Sequence, residues 1–115
     1  MRMTNFHEHA LWQESYVALM DVHDVVDEID LTEGQEDMVE KLLESCQNVT
    51  AKIADGLSRL DHRIGRDCIY DSVGLVAVAR TQLAVSWGRG LMDDETFKSL
   101  DTKYAKLSES LQRYK

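Results

Sequence analysis

Residues 53–59 read Ile53-Ala54-Asp55-Gly56-Leu57-Ser58-Arg59, and this segment divides the two central helices that the sequence predicts. The apolar positions before it recur three and four residues apart, as is typical of a helix with one buried face: Val39, Leu42, Cys46, Val49 and Ile53. Glycine often ends a helix because it adopts positive φ without a Cβ clash. We therefore expect the second helix to end at Gly56. The third should start between Ser58 and Arg63, with Ser58 or Asp61 as its cap.

The same periodicity predicts a helix on either side of this pair. The first is expected from about Phe6 to Val26, with an inward stripe of six residues: Leu11, Ser15, Ala18, Val22, Val25 and Ile29. After a break at residues 31–35, Thr32 and Gln35 have the spacing of a capping box, which suggests where the second helix starts. The third should end at Gly88 to Gly90, and Asp93 should cap the last. The last helix has the cleanest heptad: Phe97, Leu100, Tyr104, Leu107, Leu111 and Tyr114.

The chain as a whole is predicted to be all-α. Four amphipathic helices, short links and the absence of proline from all 115 residues favour a single domain, residues 1–115. The simplest architecture is an antiparallel up-down four-helix bundle.

Charge is distributed unevenly along the sequence. Residues 1–57 contain thirteen acidic and three basic side chains, whereas residues 58–115 contain eight acidic and ten basic ones. The net charge of −8 disfavours broad contact with a phosphate backbone. The second half still has room for a local basic patch.

Several functional classes find no support in the sequence. A di-iron bundle needs Glu-x-x-His motifs, which are absent, and His7 and His9 are too close in sequence to share a helical face. Neither Cys46 nor Cys68 has a glycine-rich turn that would suggest a nucleophile, and we expect both thiols to stay reduced. We therefore expect no catalytic, metal or cofactor site and no small-molecule substrate. With no signal peptide and no run of the ~18 apolar residues that a membrane span needs, we expect a cytoplasmic protein without a membrane partner.

Four basic residues after the central segment are the main candidates for a partner or nucleic-acid contact: Arg59, His62, Arg63 and Arg66. If the helix begins near Ser58, the three arginines fall on one stripe, spaced four and three residues apart. Such a stripe could follow phosphates or meet an acidic protein surface. The alternative is that the arginines pair with the nearby acids Asp55, Asp61 and Asp67.

Two further features of the sequence have more than one interpretation. His23 lies beside the apolar stripe of the first helix, where it is either a proton-linked switch or paired with a neighbouring carboxylate. Trp12, Tyr16 and Trp87 lie on or beside inward stripes, which favours a place in the core or in a subunit interface over stacking on bases.

Short motifs in this chain resemble the small four helix bundle protein family. The segment from Ile53 to Arg59 looks like that family's Ile-Ala-acid-Gly-x-x-Arg signature. Leu11-Trp12-Gln13 is similar to the opening of its first helix, and residues 88–95 are similar to the glycine and acidic cap before its last helix. The family includes proteins encoded in 23S rRNA intervening sequences and the accessory variability determinant of diversity-generating retroelements.

The resemblance implies a bundle that assembles into a homo-oligomeric ring, commonly a pentamer, with no known catalytic activity. It also implies a place beside a reverse transcriptase and its RNA. We therefore expect a non-enzymatic accessory or scaffold protein of this kind. The alternative is an acidic protein–protein interaction module with no direct nucleic-acid role.

Overall fold

Four helices make up the protein in a computed structural model that describes residues 5–115. A short 3₁₀ helix, Phe6–Glu8, precedes α1 (Ala10–Asp27), and α2 (Glu36–Ser58), α3 (His62–Gly88) and α4 (Asp94–Gln112) follow. The described residues contain no strand. The predicted all-α four-helix fold is confirmed.

The helices are arranged as a square with antiparallel neighbours. Helices α1 and α3 each contact α2 and α4, whereas the diagonal pairs make no contact within residues 5–115. Hydrogen bonds between side chains show that α4 runs antiparallel to α1. Ser110, late in α4, donates to Glu14, early in α1, whereas Lys103, earlier in α4, donates to Asp21, later in α1. The bundle is elongated, with extents of 51 × 23 × 18 Å.

The predicted stripes form the core. Leu11, Ser15, Ala18 and Val22 of α1 are buried, and Val25 and Ile29 are half-buried. In α4, Leu100, Tyr104, Leu107 and Leu111 are buried, and Phe97 and Tyr114 pack partly against them. Burial of these apolar faces is the main force that holds helices of this length together.

Most helix ends follow local chemistry. The Asp93 carboxylate accepts a hydrogen bond from the Thr96 amide, so its predicted role as the cap of α4 is confirmed. The Asp61 carboxylate accepts from the Arg63 and Ile64 amides and caps α3, so of the two predicted caps Asp61 is the right one. At the first link, the Gln35 side chain accepts from the Thr32 amide, but α2 itself begins at Glu36.

Gly56 does not end α2, and this prediction is wrong. The helix continues to Ser58, and positive φ occurs only at Gly34 and Gly90 among the described residues. Gly56 is buried instead against α3, where a Cβ atom would lie 2.8 Å from the carbonyl oxygen of Gly65. A Cβ at Gly65 would in turn lie 2.6 Å from the carbonyl oxygen of Gly56. The two glycines let the backbones of α2 and α3 meet.

Helix α3 is more apolar than predicted, since no segment was expected to be apolar enough to span a membrane. It is the one helix among residues 5–115 that is long and apolar enough, by composition, to cross a membrane. A third of its most apolar window is buried in the bundle, in contacts with α2 and α4. Much of the remaining apolar surface faces outward.

Candidate functional site: the basic tip and the outward face of α3

The turn between α2 and α3 forms one tip of the bundle, which we define as residues 59–66. Arg59 leaves α2 in an extended conformation, and its amide donates to the Gly56 carbonyl at 3.4 Å. Two residues later Asp61 caps α3. Because the two helices meet at Gly56 and Gly65, the turn needs only three residues.

Arg59 is held by Asp55 on the preceding helical turn. The guanidinium donates from Nε to Asp55 Oδ1 at 2.7 Å and from Nη2 to Oδ2 at 3.2 Å. This bidentate pair lowers the pKa of Asp55 and raises the pKa of Arg59, with the hydrogen bond as the largest cause in each case. Both side chains are exposed, so the pair orients Arg59 more than it stabilises the fold.

The predicted stripe of three arginines does not form. Because α3 begins at His62, Arg59 lies in the turn and shares no helical face with the others. Arg63 and Arg66 are exposed, three residues apart on α3, and neither has a carboxylate within ion-pair distance in residues 5–115. The alternative interpretation, pairing with nearby acids, is therefore right for Arg59 and wrong for Arg63 and Arg66.

The tip also carries apolar side chains that the sequence analysis missed. Leu60 is 94% exposed and Ile64 is 46% exposed. Leu60 lies in the turn between two helices and on none of the predicted apolar stripes. That position could have predicted that its side chain is exposed. The tip therefore combines two exposed apolar side chains with two unpaired guanidinium groups, a combination suited to a partner with both apolar and anionic surface.

The outward face of α3 is a second candidate surface. Between Gly74 and Gly88 its exposed residues carry no charge: Gly74, Ala77, Val78, Thr81, Ala84, Val85, Trp87 and Gly88. Val78 is 49% exposed and Val85 is 44% exposed. This stretch runs for about 21 Å at the usual helical rise. Single exposed apolar residues are common on protein surfaces, but a continuous patch is typical of an interaction surface.

A smaller apolar patch lies on the opposite corner of the bundle. Tyr16, Val17 and Met20 of α1 are all exposed. Since α1 and α3 are diagonal in the square, the two patches face away from each other.

The three aromatic interface candidates lie at or near these surfaces. The Tyr16 ring stacks on Trp12 with a centroid distance of 4.9 Å. Trp87 stacks on Phe97 at 4.6 Å, and its indole nitrogen donates to Asp94 at 2.8 Å. Trp12 is half-buried against the core, whereas Tyr16 and Trp87 keep exposed ring surface.

The remaining chemistry of the bundle is limited. Across the described range, no group of three or more His, Cys, Asp or Glu side chains is arranged to hold a metal ion. Cys46 and Cys68 are both buried and unbridged, and burial raises the pKa of the Cys46 thiol to about 11. A thiol with a raised pKa is a poor nucleophile, because the thiolate is the reactive form.

Comparison with known proteins found no matching family, no matching curated protein and no matching solved structure. The resemblance to the four helix bundle family therefore stays a prediction carried by its short motifs.

Proposed function

We propose that this chain is a non-enzymatic scaffold that assembles with copies of itself and presents its basic tip to a nucleoprotein partner. The uncharged outward face of α3 is the observation that carries the proposal. An apolar helix face that the bundle leaves uncovered favours a protein partner, and copies of the same chain offer a second apolar patch on α1.

The position of the two patches on opposite sides of the bundle favours a side-by-side assembly through two different surfaces. If the α3 face of one copy meets the α1 patch of the next, each copy uses two different surfaces. Such heterologous contacts close into a ring when the rotation allows and otherwise extend into a filament. A ring is the form that the family resemblance favours, commonly with five copies.

The small size of the contact also favours an assembly that closes into a ring. A face of about 21 Å by the ~10 Å width of a helix covers roughly 200 Å², well below the ~800 Å² per partner of a standard interface. A single contact would therefore be weak. In a closed ring every copy makes two contacts, and the second one forms within the assembly at high effective concentration.

The oligomeric state of the full chain tests the assembly. Mass photometry and sedimentation at micromolar concentration should show one closed species, and the double variant Val78→Lys, Val85→Lys should shift it to monomer. The matched control, Thr102→Lys with Gln112→Lys, adds the same charge at exposed positions of α4 and should leave the species intact. A wild-type chain that is monomeric throughout this range refutes the assembly.

The partner is proposed to be a reverse transcriptase with its RNA. Two features support this proposal: the resemblance of short motifs to the family that includes retroelement accessory proteins, and the unpaired Arg63 and Arg66 beside exposed Leu60. A reverse transcriptase gene beside the gene for this chain would identify the protein to co-express.

Charge reversal at the tip tests that contact. Arg63→Glu with Arg66→Glu should abolish co-purification of the co-expressed polymerase and RNA. The control, Arg89→Glu with Lys98→Glu, makes the same charge change at exposed positions outside the tip and should have little effect. Equal recovery with the tip variant would exclude the tip as the contact.

A second candidate function is an acidic interaction module with no nucleic-acid role. It is favoured by the pairing of Arg59 with Asp55, which leaves only two guanidinium groups at the tip free of ion pairs in the described structure. Gel shifts with single-stranded RNA in the absence of the polymerase test direct RNA binding. No shift even at low salt, where phosphate contacts are strongest, together with unchanged co-purification in the tip variant favours the acidic module.

A further inference from the structure

We infer that the groove between α1 and the first half of α2 binds a cationic amphipathic helix from another protein. The groove has a volume of about 520 Å³, which is enough for several side chains of a partner. Its lining comes from both helices and the link between them: His23, Leu31, Glu36, Val39, Glu40, Leu43, Glu44, Gln47 and Asn48. This inference stands whether or not the α3 face assembles, because it uses neither that face nor the tip.

The floor of the groove is apolar. Val39 is buried, Leu43 is half-buried and Leu31 is 37% exposed. Along α2 the groove extends from Glu36 to Asn48, or about 18 Å at the helical rise. That length matches about three turns of a partner helix, which would place two or three apolar side chains on the floor.

One edge of the groove is a row of carboxylates. Glu36, Glu40 and Glu44 follow one another at spacings of four and therefore share a face of α2. The described structure contains five ion pairs, and none of them includes these three residues. Within residues 5–115 these carboxylates accept one hydrogen bond, from the Gly34 amide to Glu36 at 3.2 Å.

The surroundings of the groove contribute little compensating charge. Residues 21–51 contain ten acidic side chains and one Lys or Arg, Lys41, which does not line the groove; His23 is the one histidine in this range and does line it. Like charges four residues apart on a helix repel each other and destabilise it. A partner that brings Lys or Arg would remove this repulsion and fill the apolar floor, whereas a phosphate backbone would be repelled. The acidic edge and apolar floor of the groove therefore favour a basic helix with one apolar face as the partner.

A pair of synthetic peptides tests the groove with the full chain. One is a fluorescent 14-residue Leu/Lys peptide with helical amphipathic spacing, and the other is an oligolysine of equal charge. We expect the amphipathic peptide to bind about tenfold tighter or more, because only it can fill the apolar floor. Equal affinity for the two peptides would overturn the proposal, since the acidic surface alone would then explain binding.

Matched variants test whether the amphipathic peptide binds in the groove. Glu36→Gln, Glu40→Gln and Glu44→Gln together should weaken binding of the amphipathic peptide about tenfold or more. Thermal stability should change little, because relief of like-charge repulsion offsets the loss of the Glu36 charge from the first turn of α2. The control Asp27→Asn, Glu28→Gln and Glu95→Gln removes the same charge at exposed positions outside the groove and should change affinity less than about twofold. An equal loss in both variants would overturn the groove as the site. A groove variant whose oligomeric mass falls would overturn the proposed occupant, because a second copy of this chain would then fill the groove.

Discussion

Adding one methyl group at Gly56 should test the packing that decides the fold. A Cβ there would lie 2.8 Å from the Gly65 carbonyl oxygen, 2.9 Å from Ile69 Cδ1 and 3.0 Å from Cys68 Cβ. Two of these neighbours belong to the backbone or its first side-chain carbon, so they move only if α2 and α3 separate. We expect Gly56→Ala to destabilise the protein.

The size of the effect follows from two opposing contributions. Overpacking in a core costs about 1–3 kcal/mol, and three contacts at or below 3.0 Å place this site in the upper part of that range. Replacing a helical glycine by alanine returns about 1 kcal/mol of helix propensity. The net loss in the free energy of unfolding should therefore be about 1–2 kcal/mol.

Gly74 supplies a control within the same bundle. It lies in the interior of α3 and is exposed, and beyond its chain neighbours and the nearby backbone of its own helix no heavy atom lies within 4 Å of the position its Cβ would take. Both glycine variants are compared in the Val78→Lys, Val85→Lys background, because Gly74 lies on the outward face of α3 that is proposed to assemble. There Gly74→Ala should only gain helix propensity, which stabilises the protein by about 0.5–1 kcal/mol. The two variants differ by one methyl group each and should move in opposite directions.

Circular dichroism melts at a fixed protein concentration measure the difference. At roughly 4 °C per kcal/mol for a domain of this size, the two variants should melt about 6–12 °C apart. Gly65→Ala should also destabilise, and the double variant with Gly56→Ala should lose less than the sum, because both methyl groups strain the same contact. A Gly56→Ala protein at least as stable as Gly74→Ala would refute the proposed role of this contact.

Three further predictions follow from single side chains. Tyr104→Phe should be neutral or stabilise by up to about 1 kcal/mol in urea unfolding, because the buried hydroxyl has no oxygen or nitrogen partner and faces only the weakly bonding Cys46 thiol. Between pH 9 and 11 the free energy of unfolding should fall by about 2 kcal/mol more in the wild type than in Cys46→Ala, because the folded state keeps the Cys46 proton that the unfolded chain releases near pH 9. Burial also raises the pKa of Tyr104, which adds a decline that both proteins share. Leu60→Ser should leave the melting temperature within about 2 °C yet weaken co-purification of the proposed partner, since the side chain is 94% exposed.

The periodic positions of this sequence predicted the core well. The α4 heptad and the α1 stripe needed only spacing, since one face of each helix had to be buried. The caps at Asp61 and Asp93 followed from the affinity of a short carboxylate for free amides.

Gly56 shows where local reasoning failed. A glycine near the end of a helix serves equally well as a terminator or as a point of backbone contact, and its own sequence neighbourhood does not separate the two roles. The missed signal was Gly65, which mirrors Gly56 across the turn. The predicted range for the start of α3 contained the observed start at His62, but the arginine stripe depended on a start near Ser58 and therefore does not form.

Charge shows a different limit of the sequence. The acidic and basic halves of the chain do not correspond to halves of the bundle, because antiparallel helices bring the start of α1 and the end of α2 to the same end. Residues 19–47 and 76–102 form one end, with fourteen acids and four bases. The opposite end, residues 5–18, 48–75 and 103–115, has seven acids and eight bases. Only the fold shows that one end of the molecule is strongly acidic and the other is nearly neutral.

This difference in charge between the two ends makes the salt dependence of assembly a further test of the proposed ring. Copies related by rotation about a ring axis place their acidic ends side by side, about 20 Å apart given the bundle's extents of 23 and 18 Å across. The Debye length is about 30 Å at 0.01 M salt and about 8 Å at 0.15 M, so this repulsion acts at low salt and is screened at physiological salt. We expect sedimentation to show the ring dissociating at about 0.01 M and re-forming at about 0.15 M. RNA contacts at the tip should change in the opposite sense, since binding to phosphates weakens as salt rises. An assembly that loosens on addition of salt would instead indicate that acidic and basic ends meet, as in a head-to-tail stack along the bundle axis.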